Sequence, residues 1–348
     1  MNITFIIGNG FDINIGLRTT YSAFLKEYKQ NNTKDTDLIK WFKEDVLADE
    51  ELWSSAEVAF GKTTERFGKE KYSAEEFYQC YEDFCTNLTM YLKSQEKRID
   101  DAKIRKLATT SFLSAITNWL GGFREAEKET INAIVNKIGG GIIFNFISFN
   151  YTMTLDRCVN PIKSTKDILG KRSYANTLYS NSIGNVYHIH GYTDRDMVFG
   201  VNDETQISDL KIFEGWDEEY LNQLIKIKTN KMNNENMDIK VYNLLKSSDV
   251  IYIYGMSIGE TDKLWWDRIC EIMKERKNLQ LIIYNYEAPT DELFQLKFRL
   301  FGNKERDKFL AFSKLNEEDK KSVGGRIHFA RTNMFKGLNA CVDEEGSK

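Results

Sequence analysis

Proline is almost absent, with two residues in 348. That excludes proline-rich linkers and favours a compact, helix-rich body. Histidine is nearly as scarce, so any imidazole chemistry must fall on His188, His190 or His328. No apolar stretch approaches the roughly 20 residues of a membrane span. The first residues carry neither a basic leader nor a small-residue cleavage site, so the early apolar run reads as a strand rather than a signal peptide. The five cysteines (Cys80, Cys85, Cys158, Cys270, Cys341) are odd in number and scattered. Cys80 and Cys85, five apart in a helical pattern, sit roughly 140° apart around the axis and do not suit one ligand. A reduced, cytoplasmic chain without structural zinc is expected. A dominant charge sign is missing too: 48 basic against 52 acidic residues give −4. That excludes a large generic nucleic-acid surface, though not a local basic groove.

What is present is a soluble-type composition, 41% hydrophobic and 29% charged, at a length that suits one large domain or two ordinary ones. Residues 3–7, ITFII, form an apolar run that stops at Gly8-Asn9-Gly10. From about Thr19 the texture is helical for over a hundred residues. Phe77, Tyr81, Phe84, Cys85, Leu88 and Leu92, for instance, keep the i, i+4, i+7, i+8 rhythm of one buried face. The block ends at Gly139-Gly140-Gly141, a strong breaker. Strand candidates then return: GIIFNFISFNYT, NVYHIHG, MVFGVND, DVIYIYGMS, LQLIIYNYE and RIHFART. Helical stretches separate several of them, among them DEEYLNQLIKIKTNK and the segment from Asp291 to Leu300. Continuous apolar strands alternating with helices predict an α/β fold with a doubly wound, mostly parallel Rossmann-like sheet and a large all-helical insertion. The expected division is residues 1–19 plus 139–348 for the nucleotide-binding α/β domain and 20–138 for the insertion. The terminal VDEEGSK reads as a frayed tail.

In open α/β sheets ligands bind beyond the carboxyl ends of the strands. Here those ends read Gly8-Asn9-Gly10-Phe11-Asp12, Ser148-Phe149-Asn150-Tyr151-Thr152, His188-Ile189-His190-Gly191, Phe199-Gly200, Gly255-Met256-Ser257 and Asn285-Tyr286-Glu287. Glycine with a small polar or titratable residue recurs at nearly every one, which points to a ligand-lined crevice. The hydride-transfer fingerprint is not met, because Ile13 stands where its third glycine belongs. Each piece also has a plainer reading. Gly8 and Gly10 suit an ordinary tight turn, Asn150 suits a helix cap, and Asp12 suits stabilisation of positive charge, a ribose contact or a plain cap. Strand alternation would put His188 and His190 on one face, a conceivable metal pair. Neither an HExxH motif nor a cysteine cluster supplies its remaining ligands, so no metal is expected. His328 reads as structural, and Trp265-Trp266 as core.

The order of these motifs carries a resemblance. IIGNGFDINIGLRTTYSAFL closely resembles the opening of the AbiH family, named for bacteriophage abortive infection, and LWSSAEVAF resembles that family's Trp-to-Glu segment, which picks out Glu57. AbiH proteins are in turn distantly similar to the sirtuin-like NAD-binding superfamily. On that similarity, Gly8-Asn9-Gly10 and Gly16-Leu17-Arg18-Thr19 resemble the glycine loop and its downstream element. Asn150 matches the asparagine at the nicotinamide ribose, and His190, before Gly191, matches the catalytic histidine. Val198 to Gly200 resembles the strand end beyond it, Gly255 and Ser257 the phosphate and ribose contact, and Asn285 the adenosine-ribose asparagine. The chain departs from the pattern at Asn9, at Arg18-Thr19 in place of a proline, and at Thr152 in place of an acidic residue. It also lacks the paired-cysteine zinc module that supports an acyl-lysine peptide channel. The resemblance therefore implies NAD hydrolysis rather than protein deacetylation.

The residue types suit that chemistry. Backbone N–H groups around Gly8–Gly10 and the following helix start would hold a diphosphate. Asn150, donor and acceptor together, would position a ribose hydroxyl and water. His190 would serve as general base or polarise a ribose hydroxyl. The expected binding set is Gly8, Asn9, Gly10, Phe11, Asp12, Gly191, Gly255, Ser257 and Asn285, with NAD as substrate and no cofactor. Such an activity must be silent until infection, so a phage-derived trigger and either a homo-oligomer or an autoinhibiting element are expected. Two other classes stay open: a sensor that binds NAD, ADP-ribose or another nucleotide without cleaving it, and a toxin acting on nucleic acid.

Overall fold

The structure, a computed structural model, describes residues 1–31, 35–53, 55–232, 236–286, 295–339 and 341–342. Glu287, the start of the expected helix at Asp291 and the tail after Val342 lie outside the described residues. Eight strands are described: β1 (Asn2–Ile7), β2 (Ile143–Ser148), β3 (Lys171–Tyr174), β4 (Thr177–Ser180), β5 (Ser182–His188), β6 (Val250–Tyr254), β7 (Gln280–Tyr284) and β8 (Ile327–Phe329). Six form one sheet in the order β5-β2-β1-β6-β7-β8, every neighbouring pair parallel. The fold is therefore α/β and Rossmann-like. β6 and β7 are buried along their whole length and β1 from Ile3 onward, as a sheet covered on both faces requires. The chain travels from β1 to β2 and β5 in one direction and returns to β6, β7 and β8 in the other. The switch point of the sheet thus lies between β1 and β6. The antiparallel β3–β4 hairpin is an addition that the apolar pattern did not signal, because both strands are largely exposed. Its turn puts Ala175 and Asn176 at positive φ, the geometry usually announced by Asn-Gly.

The chain divides into two compact units. One comprises Met1–Leu17, Arg98–Ile189 and Ile239–Lys348; the other comprises Arg18–Lys97 and His190–Asp238. The first holds the sheet. Its core stacks Phe5 on Phe146 with ring centroids 5.4 Å apart, and Phe112 meets Phe146 at 5.9 Å. Phe112 belongs to a run of short helical segments between Asp101 and Val135, which also deliver Ile104, Ile116 and Ile131 to this core. Part of the expected 20–138 helical block is thus built into the sheet unit. Helical periodicity reveals that a face is buried but not what buries it. On helix Lys263–Glu275, Trp265 and Trp266 are both buried; Trp266 stacks against Phe149 at 6.1 Å.

The second unit is an aromatic-rich helical body. Phe60 sits within 5.6 Å of Phe42, Trp53, Tyr81, Phe84 and Phe199, centroid to centroid. Its longest helix, Ala74–Glu96, starts in a capping box of Ser73 and Glu76. The expected strand MVFGVND is corrected here. Its Val198, Phe199 and Val201 are buried, but only Val201 makes a bridge, to Ile225. Apolar residues threaded through a helical core give the same local pattern as a buried strand. The bridge at Ile225 also explains why DEEYLNQLIKIKTNK forms two helices, Glu218–Leu224 and Lys226–Met232, rather than one. Among the described residues no helix is long and apolar enough to cross a membrane.

His328 on β8 contacts Gln280 Oε1 through Nε2 at 2.9 Å. Burial, with Arg306 nearby, pushes its pKa from 6.5 down to about 4. The unfolded chain then binds the proton first as pH falls, so stability is constant above pH ~6.5 and is lost below it. By pH 5 the loss should reach about 2 kcal/mol. Urea melts of the native chain and His328→Gln, compared at pH 7.5 and 5, should show this slope in the native chain and its flattening in the variant.

Candidate functional site

The first unit carries most of the expected site at the carboxyl edge of its sheet. β1 runs into Gly8-Asn9-Gly10 and a helix of only six residues, Gly10–Ile15, closed by left-handed Gly16. The loop amides are already engaged: Gly8 N–H donates to Tyr254 O at 2.9 Å, Gly10 N–H to Gly255 O at 2.9 Å, and Phe11 N–H to Gly8 O at 2.9 Å. The glycines are needed because two backbones touch. A Cβ on Gly10 would lie 2.6 Å from Gly255 Cα, and one on Gly8 would lie 2.4 Å from Met256 Sδ. Gly255 itself sits at φ +67, where other residues are strained. In this conformation the glycine pair serves loop-to-loop packing, and the amides expected to cradle a diphosphate face protein carbonyls.

β2 delivers Asn150, which is 6% exposed. Its Nδ2 donates to Gly8 O at 3.1 Å, while its Oδ1 is buried with no hydrogen-bond partner among the described residues. Because Gly8 O can only accept, the amide orientation is chemically determined and the acceptor is the end on offer. The cap reading does not apply: helix Thr154–Lys163 is capped at Met153. Two residues on, Thr152 donates from Oγ1 to Asp12 Oδ2 at 2.6 Å, and Thr154 Oγ1 donates to Thr152 at 3.1 Å. Asp12, 1% exposed, thus brings a buried carboxylate to Thr152.

β5 ends at His188, so the strand alternation that would relate His188 to His190 does not extend to His190. The His188 ring is held by Asp156, Nε2 to Oδ2 at 2.7 Å. This pair was not anticipated, since nothing in the sequence links a strand-end histidine to a carboxylate 32 residues earlier. His190 and Gly191 belong to the second unit. There His190 is buried, and its carbonyl accepts from Val198 N–H at 2.8 Å across a tight turn that places Gly191 at φ +68. Among the described residues no group of three or more His, Cys, Asp or Glu gathers at one point.

The remaining positions return to the first unit. Ser257 is exposed beyond Gly255. Asn285 donates from Nδ2 to Glu305 Oε2 at 3.1 Å. Tyr286, not among the expected residues, donates its hydroxyl proton to Gly10 O at 2.8 Å and lies 3.0 Å from the Tyr254 hydroxyl. The sequence places it beside Asn285 but holds no signal of its role. No curated protein matches the chain. A family model described as Bacteriophage abortive infection AbiH matches residues 4–284, well over half the chain and most of the elements above. The chain belongs to the AbiH family, and its role lies in bacteriophage abortive infection.

Proposed function

We propose that the effector step of this abortive-infection protein is hydrolysis of NAD to nicotinamide and ADP-ribose. The observation that carries the reading is Asn150. A buried acceptor without a partner is costly and rare, and this one stands beside the glycine loop at the end of β2, next to the switch point. A ribose hydroxyl or a water donating to Oδ1 would satisfy it. The sirtuin-like resemblance assigns Asn150 that same contact. It also gives the acidic group supplied by Asp12 a place in the site.

The bond from ribose C1′ to the nicotinamide nitrogen breaks with its electron pair moving to the ring, whose positive charge is thereby neutralised. The leaving group needs no acid. Positive charge grows on the ribose, water adds at C1′, and its proton passes to the base, the role assigned to His190. Asn150 orients the ribose and the incoming water, and the Asp12 carboxylate favours the developing cation. Nicotinamide release should be measured with purified protein, with and without extract of phage-infected cells. Release in the presence of extract is the expected result. Tight NAD binding without turnover under the same trigger would overturn hydrolysis and make the protein a sensor.

A further inference from the structure

An activity that must wait for infection requires a closed state, and the first unit contains contacts suited to one. We propose that Tyr286, two residues past β7, latches the loop after β1 to the end of β6 through Gly10 O and the Tyr254 hydroxyl, so that the switch-point crevice is held shut until a nucleotide or trigger parts them. This rests on the NAD reading and adds its regulation. In a doubly wound sheet the loops leaving the two strands at the switch point diverge, and that divergence makes the crevice. Here they converge. Gly10 N–H is bonded to Gly255 O, the two Cα regions are in contact, and the Met256 thioether packs on Gly8. Across the top, Tyr286 bonds Gly10 O, its ring edge lying 2.8 Å from where a Gly10 Cβ would be.

The phenols make this bolt breakable. Tyr254 donates to Asn333 Oδ1 at 2.7 Å, leaving only one further hydroxyl proton for two contacts, Tyr286 to Gly10 O and Tyr286 to Tyr254. One contact is always without a proton, so the latch is weaker than its three short distances suggest. Burial pushes both phenols up, which keeps them protonated at ordinary pH, so the latch does not respond to acid. Tyr286 is 45% exposed, and a ligand or partner can reach it. Opening would release the Gly10 amide, which then becomes the phosphate donor that the sequence leads one to expect.

The test compares wild type, Tyr286→Phe and Met256→Ala by hydrogen exchange at the Gly10 amide, with NAD affinity measured by calorimetry on the same samples. Losing one hydroxyl bond should lower Gly10 protection about five- to tenfold. Affinity should rise by a similar factor, since the competent fraction limits both. Unchanged Gly10 protection in both folded variants would overturn the latch, as would faster exchange with unchanged affinity. Absence of NAD binding in all three proteins, with faster exchange in the variants, would overturn the NAD reading and retain the loop-to-loop latch.

Discussion

Asn150→Ala should abolish triggered nicotinamide release, by at least about 10²-fold, in a chain that remains folded. The substitution removes a buried acceptor that has no partner among the described residues, so the lost interaction is one made to substrate or water. Its structural cost is limited to the Nδ2 bond to Gly8 O, worth about 1 kcal/mol. Asn150→Asp separates the two effects. It keeps the acceptor but sets a carboxylate oxygen against Gly8 O, so stability should fall further while some turnover is retained. His190→Ala should lower release by about 10²–10⁴-fold. If both residues act on one step, the double variant should be scarcely worse than the more damaging single change. Full activity in Asn150→Ala and His190→Ala would sink both assignments. Losses matched by loss of the folded state, read by circular dichroism, would leave Asn150 a structural residue.

The second large effect concerns Glu57, which the AbiH-like segment singles out without giving it a role. In the second unit Glu57 Oε2 accepts from Lys226 Nζ at 2.7 Å, with side-chain exposures of 11% and 6%, and Tyr21 contacts its other oxygen at 3.4 Å. Lys226 opens helix Lys226–Met232, 169 residues downstream. The pair thus ties the 18–97 and 190–238 segments of that unit together. Lys226→Met should destabilise the chain by about 3–5 kcal/mol, because it leaves a carboxylate buried beside an apolar side chain. Replacing both partners, as Glu57→Leu with Lys226→Met, should recover most of that loss, since no charge is then left buried. Urea unfolding of the two singles and the double measures the coupling. A single-variant cost below about 1 kcal/mol would mean that water reaches the pair and screens it.

How much was legible depended on whether an element answers to its own residues or to distant ones. The apolar runs at 3–7, 250–254 and 280–284 became strands because continuous burial on both faces leaves a local imprint. MVFGVND carries the same imprint and became a buried loop, because burial among helices is indistinguishable from burial in a sheet until the partners are in place. Gly8, Gly10 and Gly255 were legible as positions where backbone must come close, but not as close to each other. Asn150 was legible as a polar residue ending a strand. That its donor is occupied and its acceptor is not depends on Gly8 O, brought over by the parallel register of β1 and β2.

The sequence by itself determined the α/β class, the absence of a membrane-spanning apolar run, the AbiH signature and the strand ends where polar residues collect. These follow from periodicity, composition and short motifs, all local quantities. Only the tertiary structure decided which helices cover the sheet, that Asp12 meets Thr152 and Lys226 meets Glu57, and that Tyr286 closes over Gly10. Each of these joins residues far apart in the chain, and no local pattern specifies which distant partner a buried polar group will find.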